Sequence, residues 1–113
     1  MAVIPKVLID PFQPAAAEST AYTSPTAGKG TIIDKLSGTN VSAGTVTLTV
    51  KLIKVGTVAS AANTIVNVRS LAANETYTFP EVVGHVLNPG DFISVLPSAA
   101  TAITVRSSGR ELT

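Results

Sequence analysis

The residues best suited to metal binding are few and dispersed. His85 is the only histidine, and the chain contains no cysteine. A structural zinc site requires several such ligands, and sites for hard cations require clustered carboxylates. Asp34, Glu81 and Asp91 instead lie far apart in the sequence, each beside a predicted turn or strand end. We therefore predict no metal site and no cofactor, and we expect the His85 imidazole to be solvated or locally hydrogen-bonded.

Residues 28–31 read Gly-Lys-Gly-Thr and superficially resemble a phosphate-binding loop. A Walker A motif requires a glycine five residues before the Gly-Lys pair, and Ser or Thr directly after the lysine. Thr23 and Gly30 occupy those two positions, so the match fails twice. The segment is better interpreted as a turn that leads into a strand.

Serine residues are plentiful, but none is marked as a nucleophile by its neighbours. The chain has no G-x-S-x-G elbow, the strand-to-helix turn that exposes the serine of α/β-hydrolases. A small hydrolase is therefore the least favoured class, and we predict a non-enzymatic protein without catalytic residues.

Four basic side chains fall on the polar faces or at the ends of predicted strands: Lys51, Arg69, Arg106 and Arg110. Their default role is to solvate those faces. A guanidinium can also pair bidentately with a carboxylate across a subunit contact, so Arg69 and Arg110 are candidate contact residues. Aromatic residues do not alternate with the basic ones, and the formal net charge is only +1. We therefore predict no nucleic-acid partner.

The composition indicates one folded domain. The chain has 113 residues, of which 45% are hydrophobic and 13% charged, which argues against disorder. No apolar run approaches the length of a membrane helix, so we predict no membrane partner. The low charge suggests that a partner covers part of the surface.

The clearest structural signal is the alternation in residues 45–55, TVTLTVKLIKV. Val46, Leu48 and Val50 would share one face with Leu52, because successive side chains of a strand point to opposite faces. The phase slips at Ile53. A bulge, or burial of both faces near the strand end, would explain the slip.

Further short strands are predicted at regular spacing, without a convincing helix: residues 31–36, 65–71, 76–79, 91–96 and 102–107. Turns are predicted at 37–40, 42–44 and 88–91, and a bulge at 108–109. This pattern predicts an all-β fold, an antiparallel β-sandwich that is immunoglobulin-like or jelly-roll-like. A small barrel is the alternative.

Residues 1–28 differ from the sandwich domain predicted for residues 29–113. Four prolines interrupt the segment, and residues 15–27 are rich in Ala, Ser and Thr. We predict an extended N-terminal arm that docks apolar side chains on a neighbouring subunit. A frayed terminus is the alternative. The expected contact residues are Val3, Ile4, Val7, Leu8 and Ile9.

Several segments together resemble small structural proteins of tailed bacteriophages, in particular the capsid decoration or cement class. The resemblance covers residues 28–113 and is carried by TIIDKL at 31–36, the Thr/Val strand from Thr45, LAANETY at 71–77, VVGHVLNPGDFI at 82–93 and SSGRE at 107–111.

The resemblance implies a protein that binds and stabilises the lattice of the major capsid protein and has no catalytic residues. It implies a homo-oligomer, a dimer or trimer, on the capsid surface of a virion assembled in the host cytoplasm. The alternative is a β-module of the tail, neck or fibre that serves as an adaptor or binds a receptor. Exposed aromatic platforms would favour that alternative, and this chain has few aromatic residues.

Overall fold

The computed structural model describes residues 2–113 and shows a two-sheet antiparallel sandwich. Met1, the first residue of the predicted arm, lies outside the described residues. The strands are β1 (Val3–Phe12), β2 (Ser19–Thr23), β3 (Gly30–Asn40), β4 (Val46–Ile53), β5 (Thr64–Leu71), β6 (Thr76–Tyr77), β7 (Val86–Leu87), β8 (Phe92–Pro97) and β9 (Ile103–Leu112). One 3₁₀ turn (Ala61–Asn63) lies between β4 and β5. No helix among the described residues is long and apolar enough to cross a membrane.

The strands form one five-stranded and one four-stranded sheet. In the five-stranded sheet the order is β1-β9-β3-β6, and β7 also pairs with β3. In the four-stranded sheet the order is β2-β8-β4-β5. The predicted all-β sandwich is therefore confirmed, and β1 lies at one edge of the larger sheet.

The core lies between the sheets and follows the predicted alternation. In β4, Val46, Leu48 and Val50 are buried, as are Ile103 and Val105 of β9. Burying apolar side chains of this size provides the main driving force for the fold.

The predicted phase slip in β4 reflects burial of both faces near the strand end. Ile53 is buried and Leu52 packs partly against the core. The register with β8 runs without interruption from Leu48 to Ile53, whereas the register with β5 shifts between Leu48 and Val50 and again between Val50 and Lys51.

The turn predicted at residues 88–91 is confirmed. The Asp91 N–H donates to the Asn88 carbonyl at 2.9 Å, and Gly90 has a φ of 89°. Glycine tolerates this left-handed conformation at the third turn position.

The turn predicted at residues 37–40 is wrong, because these residues complete β3. Gly38 faces the core, where a Cβ would lie 3.0 Å from Cε1 of Phe79. The glycine therefore makes room for a core aromatic ring. Asn40 is buried, and its amide group donates to the carbonyls of Gly44 and Leu71. Gly38 and Asn40 belong to β3 because of these tertiary contacts, which override the local turn propensity of the two residues.

The bulge predicted at residues 108–109 is also wrong. β9 runs through these residues to Leu112. The irregularities lie in its neighbours, between Val7 and Ile9 and between Ile9 and Phe12 in β1, and between Ile33 and Lys35 in β3.

The structure corrects the prediction of an extended N-terminal arm. Residues 3–12 form β1, which pairs with β9, and residues 19–23 form β2, which pairs with β8 of the other sheet. Pro5 and Pro11 are compatible with β1 because an edge strand needs ladder hydrogen bonds on only one side. The prolines indicated the edge of a sheet, and the apolar residues between them supply part of this chain's own core.

Candidate interaction surface

The five apolar contact residues predicted in β1 divide into two groups. Val3, Ile4 and Val7 are exposed, with relative accessibilities of 54%, 43% and 40%. Leu8 and Ile9 belong to the hydrophobic core of the same chain. The prediction that these two residues contact a neighbouring subunit is therefore wrong for this conformation. The bulge between Val7 and Ile9 turns two consecutive side chains inward.

Arg110 lies on the outer face of the larger sheet and pairs with Asp34 of β3. Its Nε donates to Oδ2 at 2.9 Å, and its Nη2 donates to Oδ1 at 2.8 Å. These hydrogen bonds hold the pKa of Asp34 below its ordinary value. Both side chains remain more than 40% exposed, so the pair displays a fixed pattern of charge to solvent.

An open groove of about 500 Å³ lies beside this ion pair. Pro5, Lys6 and Val7 of β1 form one wall, and residues 108–110 of β9 and Asp34 form the rest. Val3 continues the outer face of β1 beyond the groove, whereas Ile4, which opposes the buried Glu111, lies on the other face of β1 at the same edge. We call this region the β1–β9 surface and define it by Val3, Ile4, Pro5, Val7, Asp34 and Arg110.

The free edge of β1 is poorly suited to accept another strand. Pro5 lies opposite Arg110 of β9 and has no N–H. A proline in a paired strand places its missing donor on the free side, where it interrupts the row of groups that an added strand would bind. A partner at this edge would therefore meet side chains and not an unbroken row of backbone donors.

Behind the surface, a polar network joins the two sheets. The Tyr22 hydroxyl of β2 donates to Oε2 of Glu111 at 2.5 Å and lies 2.9 Å from the Thr31 hydroxyl. Thr31 also hydrogen-bonds Ser24, and the Lys6 ammonium lies 3.3 Å from Glu111 Oε1. Burial and the bond to Glu111 raise the pKa of Tyr22 to about 12. Sequence reasoning missed this network because its members are widely separated along the chain.

Arg69, the other candidate arginine, lies elsewhere. It belongs to β5 at an edge of the four-stranded sheet, and its guanidinium carbon sits 4.0 Å from the centre of the Tyr77 ring. The Tyr77 hydroxyl donates to Glu81 at 2.8 Å, which raises the pKa of the tyrosine. Arg69 therefore has an intramolecular role as a cation over an aromatic face.

The residues considered for metal or phosphate chemistry do not converge. Asp91 accepts the N–H groups of Val55 and Asn88, and the exposed His85 hydrogen-bonds Ile33 through its backbone carbonyl. Within residues 2–113, no group of three or more His, Cys, Asp and Glu side chains could hold a metal ion. Residues 28–31 form a turn into β3, where the Lys29 N–H donates to the Leu112 carbonyl.

Comparison with known proteins finds no match among protein-family models, curated proteins or solved structures. The β1–β9 surface is therefore interpreted from its own residues. It combines exposed aliphatic side chains with one ordered ion pair around an open groove.

Proposed function

We propose that the protein is a non-enzymatic structural component of a tailed-phage particle, a capsid decoration or cement protein that binds the lattice of the major capsid protein. The observation that supports this most is the placement of Val3, Ile4 and Val7 on one edge of the sandwich beside the Arg110–Asp34 pair. The resemblance of residues 28–113 to this class of phage proteins supports the same proposal.

The aliphatic residues would supply the affinity. Val3, Ile4 and Val7 are 40–54% exposed, so covering them removes further apolar surface from water. Burying such a side chain completely contributes about 1.5–3 kcal/mol, and these residues retain roughly half of that gain for a partner. One contact of this size is weak. A homo-oligomer, a dimer or trimer, that engages several lattice positions at once would bind much more tightly through avidity.

The ion pair would fix the position in which the protein docks on its partner. The two bonds from the Arg110 guanidinium to Asp34 fix the charges in one orientation on a flat sheet. A partner with complementary polar groups would then dock in one position, because charge complementarity contributes more to specificity than to affinity.

Binding to isolated capsid shells tests the surface. The double variant Val3→Ser, Val7→Ser should bind shells lacking the protein at least roughly tenfold more weakly than the wild type, since both side chains lose their apolar burial. Val58→Ser is the matched control, because Val58 is 78% exposed and lies outside the surface. Equal binding by the double variant and the wild type would remove the β1–β9 surface from the proposal.

Immunogold electron microscopy of the parent virion tests the location. Label spread over the head supports a decoration protein on the capsid surface. Label confined to the tail or neck overturns that assignment in favour of an adaptor or receptor-binding module. Label absent from intact particles but present after disruption overturns the surface location, and absence of the protein from disrupted particles as well overturns the virion assignment.

A further inference from the structure

We propose that β1 exchanges between copies of this chain, so that β1 of one copy occupies the position beside β9 of a second copy. β1 lies at the edge of its sheet, and β9 is the only strand that pairs with it among the described residues. This inference goes beyond the proposed function. It concerns the isolated protein and holds or fails whatever particle carries it.

The position beside β9 is specific for the β1 sequence. A Cβ at Gly109 would clash with the Ile32 carbonyl oxygen of β3 and lie 2.9 Å from Cδ1 of Leu8, so the missing side chain makes room for the neighbouring strand and for that leucine. Ile9 fills the adjacent part of the core, and the Lys6 ammonium reaches the buried carboxylate of Glu111. A vacated site would expose an apolar slot and leave the Glu111 carboxylate without its ammonium partner. Another copy of β1 fits both features.

The connection from β1 to β2 has the properties of an exchange hinge. On one side, the Pro14 carbonyl accepts the N–H of Thr101. On the other, Glu18 accepts a hydrogen bond from Ser94 at 2.5 Å and pairs with Lys51. Residues 15–17, three exposed alanines, must span the distance between these anchors. A short hinge between elements that pack on different sheets favours exchange, because opening the hinge removes that constraint.

The energetic difference between the closed and exchanged forms is therefore small. Every contact of β1 with β9 is the same in both forms, so only the hinge and the entropy of association differ. Local concentration then decides the equilibrium, and a surface that holds many copies close together favours exchange.

The exchange also suits the exposed side chains. The free edge of β1 lacks the Pro5 donor, which disfavours the addition of a foreign strand. Val3, Ile4 and Val7 keep the same exposure after exchange, because their surroundings beside β9 are the same in both forms. The expected occupant of the site is therefore a second copy of β1.

Mixed single-cysteine variants test this directly, because the natural chain has no cysteine. Val7 and Ser108 lie opposite each other in β1 and β9. Directly opposed residues in antiparallel strands have the separation that a disulfide requires. Val7→Cys, carrying a mass tag, and Ser108→Cys are unfolded together, refolded at high concentration and oxidised. We expect a covalent heterodimer that contains one copy of each variant.

The control pair is Thr39→Cys with Thr104→Cys, which oppose each other in β3 and β9 and do not involve β1. Heterodimer from the β1 pair should exceed that from the control pair by roughly tenfold, since only exchange brings the two cysteines together at high effective concentration. The double variant Val7→Cys, Ser108→Cys must close an internal disulfide when refolded in dilute solution, which verifies the geometry. If it does, and the mixed β1 pair gives no more heterodimer than the control pair, the proposal is overturned.

Discussion

The Tyr22 hydroxyl donates a hydrogen bond to the Glu111 carboxylate and thereby joins β2 of one sheet to β9 of the other. Glu111 is 8% exposed and also pairs with Lys6 of β1. One carboxylate thus connects three strands that contain both ends of the described chain. The two sheets share no ladder of backbone hydrogen bonds, so side-chain hydrogen bonds such as this one connect them.

Tyr22→Phe should lower the free energy of unfolding at neutral pH by about 1.5–3 kcal/mol, because it removes a hydrogen bond to a charged group that is mostly buried. Urea unfolding measures the loss. Tyr77→Phe is the matched control, since Tyr77 bonds Glu81 outside the core. Equal losses in the two variants would contradict the special role of Tyr22.

The pH dependence should follow from the same residue. The pKa of Tyr22 rises from 10.0 to about 12 on folding, so its contribution is complete below pH 10 and is lost as the pH rises from 10 towards 12. The stability difference between the wild type and Tyr22→Phe should therefore shrink over that range. Urea midpoints at a series of alkaline pH values measure it, and a constant difference would show that Tyr22 is not the titrating group.

Asn40→Ala should destabilise the fold by at least about 2 kcal/mol, because buried carbonyls lose their donor. The Asn40 amide donates to Gly44 and Leu71 at 2.7 and 2.9 Å, and its oxygen accepts the Ser42 N–H. Asn67→Ala is the control, since Asn67 is an exposed asparagine on β5 and should change stability by less than about 0.5 kcal/mol. Thermal and urea unfolding of both variants check the prediction. Similar free energies of unfolding for Asn40→Ala and Asn67→Ala would contradict the prediction and would mean that water replaces the Asn40 amide.

Arg110→Ala should weaken binding to capsid shells and leave the urea midpoint nearly unchanged. The Arg110–Asp34 pair is exposed, so solvent screens its contribution to folding. Arg106→Ala is the matched control, because Arg106 lies on the same face of β9, four residues away, with the same charge. Equal loss of binding in both variants would indicate a general effect of positive charge and would exclude a specific role for the Arg110–Asp34 pair.

Deleting Ala16 and Ala17 should shift the protein towards a dimer. With only Ala15 left between the Pro14 and Glu18 anchors, we expect the hinge to be too short to close within one chain, whereas an open hinge in an exchanged dimer tolerates the deletion. Light scattering after size-exclusion chromatography measures the mass. Inserting four Gly/Ser residues at the same place should favour the monomer. A monomeric deletion variant with an intact fold would contradict the expected hinge.

Several features of this protein could be predicted from the sequence because they depend on local patterns. The alternation of Val46, Leu48 and Val50 defined both a strand and its buried face, and Gly90 defined its turn. The predicted alternation agrees with the observed burial because backbone geometry imposes a two-residue period on any strand with one buried face.

Only the tertiary structure decided the place of the N-terminal segment. Prolines and small residues in 1–28 fit either an arm or an edge strand, and local propensity does not distinguish the two. The distinction depends on β9, about a hundred residues later, whose Gly109 makes room for Leu8 and whose Glu111 pairs with Lys6. The same long-range contacts placed Gly38 and Asn40 inside a strand and brought Asp34 to Arg110. The sequence pattern of a strand indicates which of its faces is buried, but it does not indicate which strand lies beside it. Pairing partners that are distant in sequence therefore cannot be predicted from local patterns.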